Sequence, residues 1–264
     1  MGNYKICFSV TCHESAECLR DTFERINVFA PNSCVVVHCN SASGGDFFQH
    51  VMSISNEYKN VFVNPMQVEL NWGDGRLLNA IFLNFEYALQ NLNFDYFWLE
   101  SSNSLIMRSG IEEHVYGYYF GGNIDPLPKD SDWDWAPMVF NDQVLLNFID
   151  KLKIKDIHVG HHEGTFATKN IFNFIYQALK NDLPFGVGDY PREETFMQTA
   201  LSQLLIYKHT SAGCRLWCAP EDFYKVINGD DSWMKEQNIF SLKRVPREYD
   251  CQLRNDLRKQ MLNR

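Results

Sequence analysis

Short apolar runs alternate with longer segments of helical periodicity through the N-terminal part of the chain. Runs of strand length, rich in β-branched and aromatic residues, cover 5–11, 34–39, 61–63 and 94–99. Apolar residues recur at intervals of three and four over 16–29, 47–55 and 77–89, as they do in amphipathic helices. Strands that alternate with helices predict an α/β fold, in which a mainly parallel sheet carries helices on both faces.

The pattern loosens after Gly110. Prolines and glycines make the stretch 121–137 rich in loops. Helical periodicity returns at 144–152, 169–180 and 194–207, and the segment 253–262 reads as a charged surface helix. No linker separates the two parts, so we expect a single domain over 1–264.

The chain has 264 residues and a formal net charge of −9. General nucleic-acid binding is excluded because it needs a basic surface, whereas one local basic patch is enough to bind a small anion. The N-terminal residues form neither a secretory signal nor a membrane span. Eight cysteines without a signal predict a cytoplasmic protein with reduced thiols, and attachment to the inner face of a membrane stays open.

Polar residues follow the strand predicted at 94–99. Glu100, Ser101, Ser102 and Asn103 come directly after its last apolar residue. In open α/β sheets, ligands bind in the crevice outside the carboxyl ends of the strands. The strand–helix–strand unit over 61–106 is therefore the first place where we expect a ligand.

Two carboxylates, Glu193 and Glu194, follow a turn-rich stretch at 186–191. The helix macrodipole favours a carboxylate in the first turn of a helix, so simple stabilisation of that helix is one interpretation. A general base at the mouth of a cleft is the other. One carboxylate that accepts a proton from a hydroxyl is sufficient for an inverting displacement at a sugar carbon.

Three cations, Lys243, Arg244 and Arg247, lie close together near the C-terminus of an otherwise acidic protein. A solvated charged face is one interpretation. Lys243 follows a short apolar stretch and Pro246 stiffens the chain, so these cations could equally bind a diphosphate and stabilise its leaving charge without a metal. Arg215, in another short strand-like run, is a further candidate because an arginine there needs an anionic partner.

The order of these segments resembles the core-2/I-branching glycosyltransferases, glycosyltransferase family fourteen. The residues 60–63, the turn Asn71-Trp72-Gly73-Asp74-Gly75, the helix 77–89 and the strand 94–99 are similar to one continuous family segment. The similarity extends from about Lys5 to Arg247. It implies a GT-A-type glycosyltransferase fold with a nucleotide-sugar half at about 1–110 and an acceptor and catalytic half at about 111–264.

The resemblance also implies roles for individual residues. Residues 193–199 resemble a motif Asp-Glu-x-x-x-x-Thr whose glutamate is the catalytic base, which assigns that role to Glu194. Family positions beside the uridine, the donor sugar and the donor diphosphate correspond to the expected donor-binding residues His38, Asn103, Arg215 and Lys243. The local run of cations adds Arg247 as a further expected donor-binding residue. A family stretch on the acceptor side and the residue before the base correspond to the expected acceptor-binding residues Glu163, Thr165, Phe166 and Glu193.

Some positions depart from the family pattern. The signature strand has Asn103 where the family has Asp and Leu105 where it has Pro. The gap between Glu194 and Arg215 is shorter than in animal members, and the anchor and disulfides of those members are lacking. These differences favour a soluble microbial relative that builds a surface glycan.

The resemblance therefore implies an inverting hexosyl- or N-acetylhexosaminyltransferase that uses a UDP-linked sugar and a glycan or glycolipid acceptor, with no metal or other cofactor. A metal-dependent transferase is one alternative, because Asp132-Trp133-Asp134 is a literal Asp-x-Asp, although no apolar strand precedes it. The cluster His158, His161, His162 and Glu163 matches no helical metal motif, since its adjacent histidines diverge. A non-catalytic glycan- or nucleotide-binding protein of the same fold is the other alternative.

Overall fold

The computed structural model describes residues 2–12, 15–182 and 188–262. Residues 186 and 187 of the predicted turn before Glu193 lie outside this range. The strands are β1 Asn3–Cys12, β2 Cys34–Cys39, β3 Val61–Val63, β4 Asn93–Ser101, β5 Ser104–Ile106, β6 Phe120–Gly121, β7 Asp125–Pro126, β8 His158–Val159, β9 Phe166–Thr168, β10 His209–Thr210, β11 Cys214–Arg215 and β12 Ser241–Lys243. The α-helices are α1 Cys18–Phe29, α2 Gly45–Ser55, α3 Leu77–Asn91, α4 Ile111–Val115, α5 Ala136–Asn141, α6 Gln143–Leu152, α7 Lys169–Leu179, α8 Phe196–Ser202, α9 Pro220–Ile227, α10 Ser232–Glu236 and α11 Gln252–Leu262.

A central sheet of seven strands has the order β10-β6-β9-β4-β1-β2-β3. Strands β4, β1, β2 and β3 run parallel, and β9 runs antiparallel to both β4 and β6. A smaller sheet, β11-β12-β5, lies beside it. The expected α/β fold with a mainly parallel sheet is confirmed.

Helices cover both faces of the central sheet, as the alternation of strands and helices predicts. Cys7 of β1 and Val36 of β2 pack in one core cluster with residues of α3 and α7. Phe8 and Val37, one position further along each strand, pack in a second cluster with residues of α1 and α2. Successive side chains of a strand point to opposite faces, so strands buried on both sides read as continuous apolar runs.

The predicted helix at 194–207 is shorter in the structure, and that prediction was wrong at both ends. A single 3₁₀ turn, Arg192–Glu194, comes first, and α8 then covers only Phe196–Ser202. Thr195, at φ −119°, separates the two, and its hydroxyl donates to the carbonyl of Arg192 at 3.1 Å. A threonine hydroxyl that bonds the local backbone competes with helix formation.

Helix α11 is not simply the charged surface helix that its sequence predicts. Leu253, Arg254 and Leu257 are buried, and Arg254 is 0% exposed. Its Nη1 donates to Oδ2 of Asp21, on α1, at 2.6 Å, and its Nε donates to the carbonyl of Pro246 at 2.6 Å. The prediction of a surface helix was wrong for the face that carries Arg254, because the partner of this arginine, Asp21, lies on α1, 233 residues away. None of the helices within the described ranges has the length and apolar character that crossing a membrane requires.

Replacing Arg254 with Leu should lower the free energy of unfolding by about 3–5 kcal/mol, because the buried carboxylate of Asp21 loses its closest partner. Urea unfolding at neutral pH measures this loss. Lys259→Ala on the same helix is the control, since Lys259 is mostly exposed and lies 3.8 Å from Asp256. It should cost less than about 1 kcal/mol. A similarly small cost for R254L would contradict the structural role of the pair.

Candidate active site

The segment 160–165, which carries Glu163, is held against the carboxyl end of β4. The backbone N–H of Gly164 donates to the carbonyl of Leu99 at 2.9 Å, and the N–H of Leu99 donates to the carbonyl of Thr165 at 2.8 Å. These bonds extend the pairing of β9 with β4 past the end of the regular ladder. Polar residues at the end of β4 and polar residues before β9 therefore meet at one edge of the sheet, as the polar end of the predicted strand suggested.

Glu163 forms a buried ion pair with Lys243. The carboxylate is 1% exposed, and the ammonium of Lys243, at the end of β12, hydrogen-bonds to its Oε1. Burial alone would raise the pKa of Glu163, but His162 and Lys243 outweigh it and hold that pKa at about 2. The structure thus joins an expected acceptor-side residue directly to an expected donor-side residue, and much of the charge of Lys243 is already neutralised.

Glu100 lies in the interior close to this pair. The hydroxyl of Ser104 donates to its Oε1, and Nε1 of Trp98 lies 3.3 Å from its Oε2. Burial, together with the charge of Glu163, raises the pKa of Glu100 to about 7, although the hydrogen bonds to its carboxyl group act in the opposite direction. The site therefore contains one carboxyl group whose pKa lies near neutral pH.

Glu193 is a second carboxyl group with a raised pKa. Burial moves that pKa to about 8, and the neighbouring charges of Glu194 and Glu163 act in the same direction. Its Oε2 is buried and has no hydrogen-bond partner within the described chain. Burial therefore favours the protonated, neutral form of Glu193.

Glu194 differs from its neighbour because it reaches solvent. Its side chain is 21% exposed, and Nδ1 of His161 lies 3.1 Å from its Oε1. The N–H of Gly160 also donates to the backbone carbonyl of Glu194 at 2.9 Å. The hydrogen bond with Glu194 raises the pKa of His161. The imidazole of His161 thus holds an accessible carboxylate. A carboxylate in such a position can accept a proton from a bound hydroxyl.

A cleft of about 600 Å³ has a lining that includes Asn123, Cys214, Arg215 and Trp217. A Cβ atom on Gly160 would lie 1.7 Å from the carbonyl oxygen of Asn123, and one on Gly164 would lie 2.4 Å from the backbone nitrogen of Cys214. The wall of the cleft therefore lies directly against the segment that carries His161 and Glu163.

Arg215 is the expected diphosphate ligand that faces this cleft. Its side chain is 37% exposed, and its Nη2 lies 3.6 Å from Oδ2 of Asp222. Its guanidinium also lies 4.9 Å from the centre of the Trp233 ring. The anionic partner expected for Arg215 is thus present on α9, at a distance that leaves the guanidinium accessible.

His38 lies on β2 and is fully buried. Its Nε2 accepts from the N–H of Val68 at 3.1 Å, and burial lowers the pKa of the ring to about 4. Asn40 makes a similar contact, with its side chain donating to the carbonyl of Leu70 at 2.8 Å. Together they fasten the loop after β3 over the end of β2. A role for His38 beside a nucleoside stays a prediction.

The other expected donor-side residues lie on turns that flank the small sheet. Asn103 sits between β4 and β5, where the hydroxyl of Ser101 donates to its Oδ1 at 2.9 Å and the N–H of Val245 donates to its carbonyl at 3.0 Å. Arg247 is exposed, and its carbonyl accepts from Sγ of Cys18 at 3.2 Å. These contacts bring the turn after β4 next to the segment after β12.

The remaining acceptor-side candidates are buried. Thr165 donates its hydroxyl to the carbonyl of His161 at 3.1 Å. Phe166 stacks on Trp98, with ring centroids 5.2 Å apart. Both fix the segment that carries His161, and their contact with an acceptor stays a prediction.

Neither metal pattern of the sequence is assembled into a site within the described chain. Asp132 and Asp134 are exposed, on the stretch before α5. His161 points to Glu194, whereas His162 is buried with its Nε2 3.4 Å from Glu163. Over residues 2–12, 15–182 and 188–262, no group of three or more His, Cys, Asp or Glu is arranged to hold a metal ion.

Comparisons with known proteins add little to this geometry. No protein-family profile matches the chain, and no curated protein matches it either. Among solved structures, it is similar to the galactosyltransferase LgtC in complex with donor and acceptor sugar analogues, over 97% of this chain and 95% of that one. The two are 9% identical, with a TM-score of 0.45. A likeness at that level carries no argument about residues or activity.

Sequence reasoning missed Glu100 and His161 as members of this site. The sequence places Glu100 only in the polar end of a strand and His161 only in a cluster that matches no metal motif. The signal for Glu100 is a carboxylate placed directly after four aromatic or apolar residues of a buried strand. His161 carried no local signal, because its partner Glu194 is 33 residues away.

The buried, protonated state of Glu193 should make the protein less stable as pH rises. Its pKa in the fold is about 8, above the ordinary value of 4.5, so the folded state keeps a proton that the unfolded state loses within that window. Unfolding becomes easier between these two pH values. Glu193→Gln should remove this dependence and raise stability at pH 8 by on the order of a few kcal/mol.

Thermal unfolding between pH 5 and pH 8.5 measures the effect. The melting temperature of the native protein should fall more steeply with pH than that of E193Q. Glu236→Gln, at an exposed position of α10, should follow the native curve. Parallel curves for the native protein and E193Q would show that Glu193 is charged in the folded state.

Proposed function

We propose that this protein is an inverting, metal-independent glycosyltransferase of GT-A type that transfers a sugar from a UDP-linked donor to a hydroxyl of a glycan or glycolipid. The observation that carries the proposal is the position of Glu194. It is a solvent-accessible carboxylate that is hydrogen-bonded to His161. Its backbone carbonyl accepts from Gly160, which packs against Asn123 in the wall of a cleft whose lining includes Arg215. The resemblance of residues 193–199 to the motif of the family's catalytic base supports the same assignment.

In the proposed reaction, the acceptor oxygen attacks the anomeric carbon from the side opposite the diphosphate. The bond between that carbon and the phosphate oxygen breaks, and its electron pair leaves with UDP. The proton of the acceptor hydroxyl passes to Glu194, and the configuration at the sugar carbon inverts. Arg215 stabilises the charge that develops on the diphosphate, as a fixed cation does in place of a metal.

Lys243 contributes to the same charge, but its pairing with Glu163 changes what it supplies. An ammonium that already hydrogen-bonds a buried carboxylate adds little net positive potential. We infer that the pair mainly orients Lys243, whose side chain is 26% exposed, towards the donor. His38, Asn103 and Arg247 are proposed on the donor side, and Glu163, Thr165, Phe166 and Glu193 on the acceptor side.

We assign the nucleotide-sugar half to about 1–110 and the acceptor and catalytic half to about 111–264, within one domain. A cytoplasmic location, with contact to the inner face of a membrane where the acceptor is a glycolipid, accords with this assignment. The donor is a hexose or N-acetylhexosamine linked to UDP.

Glu194→Gln should lower the rate of sugar transfer by about two to four orders of magnitude, because the isosteric amide cannot accept the acceptor proton. Release of UDP from UDP-hexoses and UDP-N-acetylhexosamines, with glycan acceptors, measures the rate. Glu221→Gln, another carboxylate in the first turn of a helix, is the matched control and should keep the native rate. Near-native turnover by E194Q would exclude Glu194 as the base, and product-free binding would indicate a non-catalytic glycan- or nucleotide-binding protein.

Binding of UDP should not require a metal. At a concentration of about 100 times its dissociation constant, UDP adds roughly 2.7 kcal/mol to stability, which raises the melting temperature by several degrees. We expect this shift in the presence of a chelator, and an unchanged shift in the variant Asp132→Asn/Asp134→Asn. A shift that appears only with manganese and is lost in that variant would instead favour the metal-dependent transferase.

A further inference from the structure

Two arginines at the cleft are each held against a tryptophan ring. Arg215 lies over Trp233, and Arg244 lies over Trp217 with its guanidinium carbon 3.6 Å from the ring centre. Trp217 lines the cleft and is 66% exposed. A cation–π contact orients a guanidinium without neutralising it, so its N–H donors stay available for an anion. Arg215 also lies 3.6 Å from Oδ2 of Asp222, so part of its charge is compensated.

Arg244 differs from the lysine that precedes it. Lys243 is paired with the buried carboxylate of Glu163, whereas Arg244 is exposed and has no carboxylate within 4.0 Å in the described part of the chain. The small sheet therefore presents its uncompensated charge at Arg244. In a protein with a net charge of −9, this exposed guanidinium makes the surface around it locally more positive, which favours an anion there.

The backbone of Arg244 supports a role beyond packing. Its φ is +71°, in the left-handed region that disfavours a residue with a side chain. Strain of this kind persists where the surrounding structure imposes it, and it is concentrated at ligand-binding sites. This backbone conformation turns the chain directly after β12, and the guanidinium of Arg244 lies over the ring of Trp217.

Arg215 and Arg244 lie near one common point. Sγ of Cys218 donates to the carbonyl of Arg215 at 3.1 Å. Burial raises the pKa of Cys218 to about 11, and the charges of both Arg215 and Arg244 act on that thiol in the opposite direction. Strands β11 and β12 are parallel neighbours, with Arg215 opposite Leu242, which accounts for the proximity.

We propose that Arg215 and Arg244, held by Trp233 and Trp217, form the two-arginine clamp that binds the diphosphate of the donor, and that Arg244 supplies the charge that Lys243 gives up to Glu163. The inference rests on the proposed function and departs from the resemblance, which points to Lys243. Two planar guanidinium groups can each bind a phosphate in bidentate fashion. The ligand class is a diphosphate that carries a nucleoside.

Isothermal titration calorimetry in chelator, at fixed salt, tests the clamp with UDP, UMP and pyrophosphate as probes. Arg244→Met and Arg244→Gly should each weaken UDP binding about 10- to 100-fold, with little effect on UMP. Arg244→Gly also relieves the positive φ, so its melting temperature should stay at or above the native value, which separates lost binding from unfolding.

Two controls match these changes. Lys153→Gly replaces another residue at positive φ, at the end of α6, and should leave UDP binding unchanged. Lys235→Met removes an exposed cation from α10 and should also leave it unchanged, which excludes a general effect of net charge.

The outcomes separate this inference from the proposed function. Native affinity for UDP in both Arg244 variants, or equal losses for UMP and UDP, would overturn the clamp while leaving the transferase in place. Failure of the native protein to bind either UDP or pyrophosphate would overturn both. Loss of UDP binding in the Arg244 variants alone, with the controls unaffected, would support the clamp.

Discussion

The close backbone contact between Gly164 and Gly213 is the constraint on which the site depends. The N–H of Gly213 donates to the carbonyl of Gly164 at 3.0 Å, and its own carbonyl accepts from Phe240 and Ser241. Gly164 has φ +73°, and a Cβ atom on Gly213 would lie 2.3 Å from the Trp98 ring. Only glycine allows this approach, which joins the small sheet to the central one. The elements that carry Glu163 and Lys243 thereby become neighbours.

This contact brings several acidic groups together in the interior. Burial and neighbouring charges there shift the pKa of each group to a different value. Burial favours the neutral form of Glu193, Glu163 is ionised against Lys243, and Glu100 has a pKa of about 7. Two ionised carboxylates in one buried site repel each other, so groups without a cationic partner retain their protons. Glu194, held by His161, is the member of this group that reaches solvent.

Cations in this region are held in two different ways, with different consequences for an anion. A lysine paired with a buried carboxylate is fixed but compensated, whereas an arginine stacked on an aromatic ring is fixed and retains its charge. Lys243 is of the first kind and Arg244 is of the second. The two residues are adjacent in sequence, so the sequence does not show this difference. It arises from their neighbours on other elements, which are Glu163 for Lys243 and Trp217 for Arg244.

The parallel strands β1 to β4 and the helices that cover them can be predicted from the sequence, because side-chain periodicity is a local property. The apolar run of β2 and the amphipathic pattern of α3 are examples. The short strands β6, β9 and β10 of the same sheet carry no such pattern. The sequence also placed polar groups at the carboxyl end of β4. Which charges meet depends on the folded chain, since Lys243 and Glu163 are 80 residues apart and Arg254 and Asp21 are 233 residues apart. Burial and pairing depend on such distant contacts, and no local pattern encodes them.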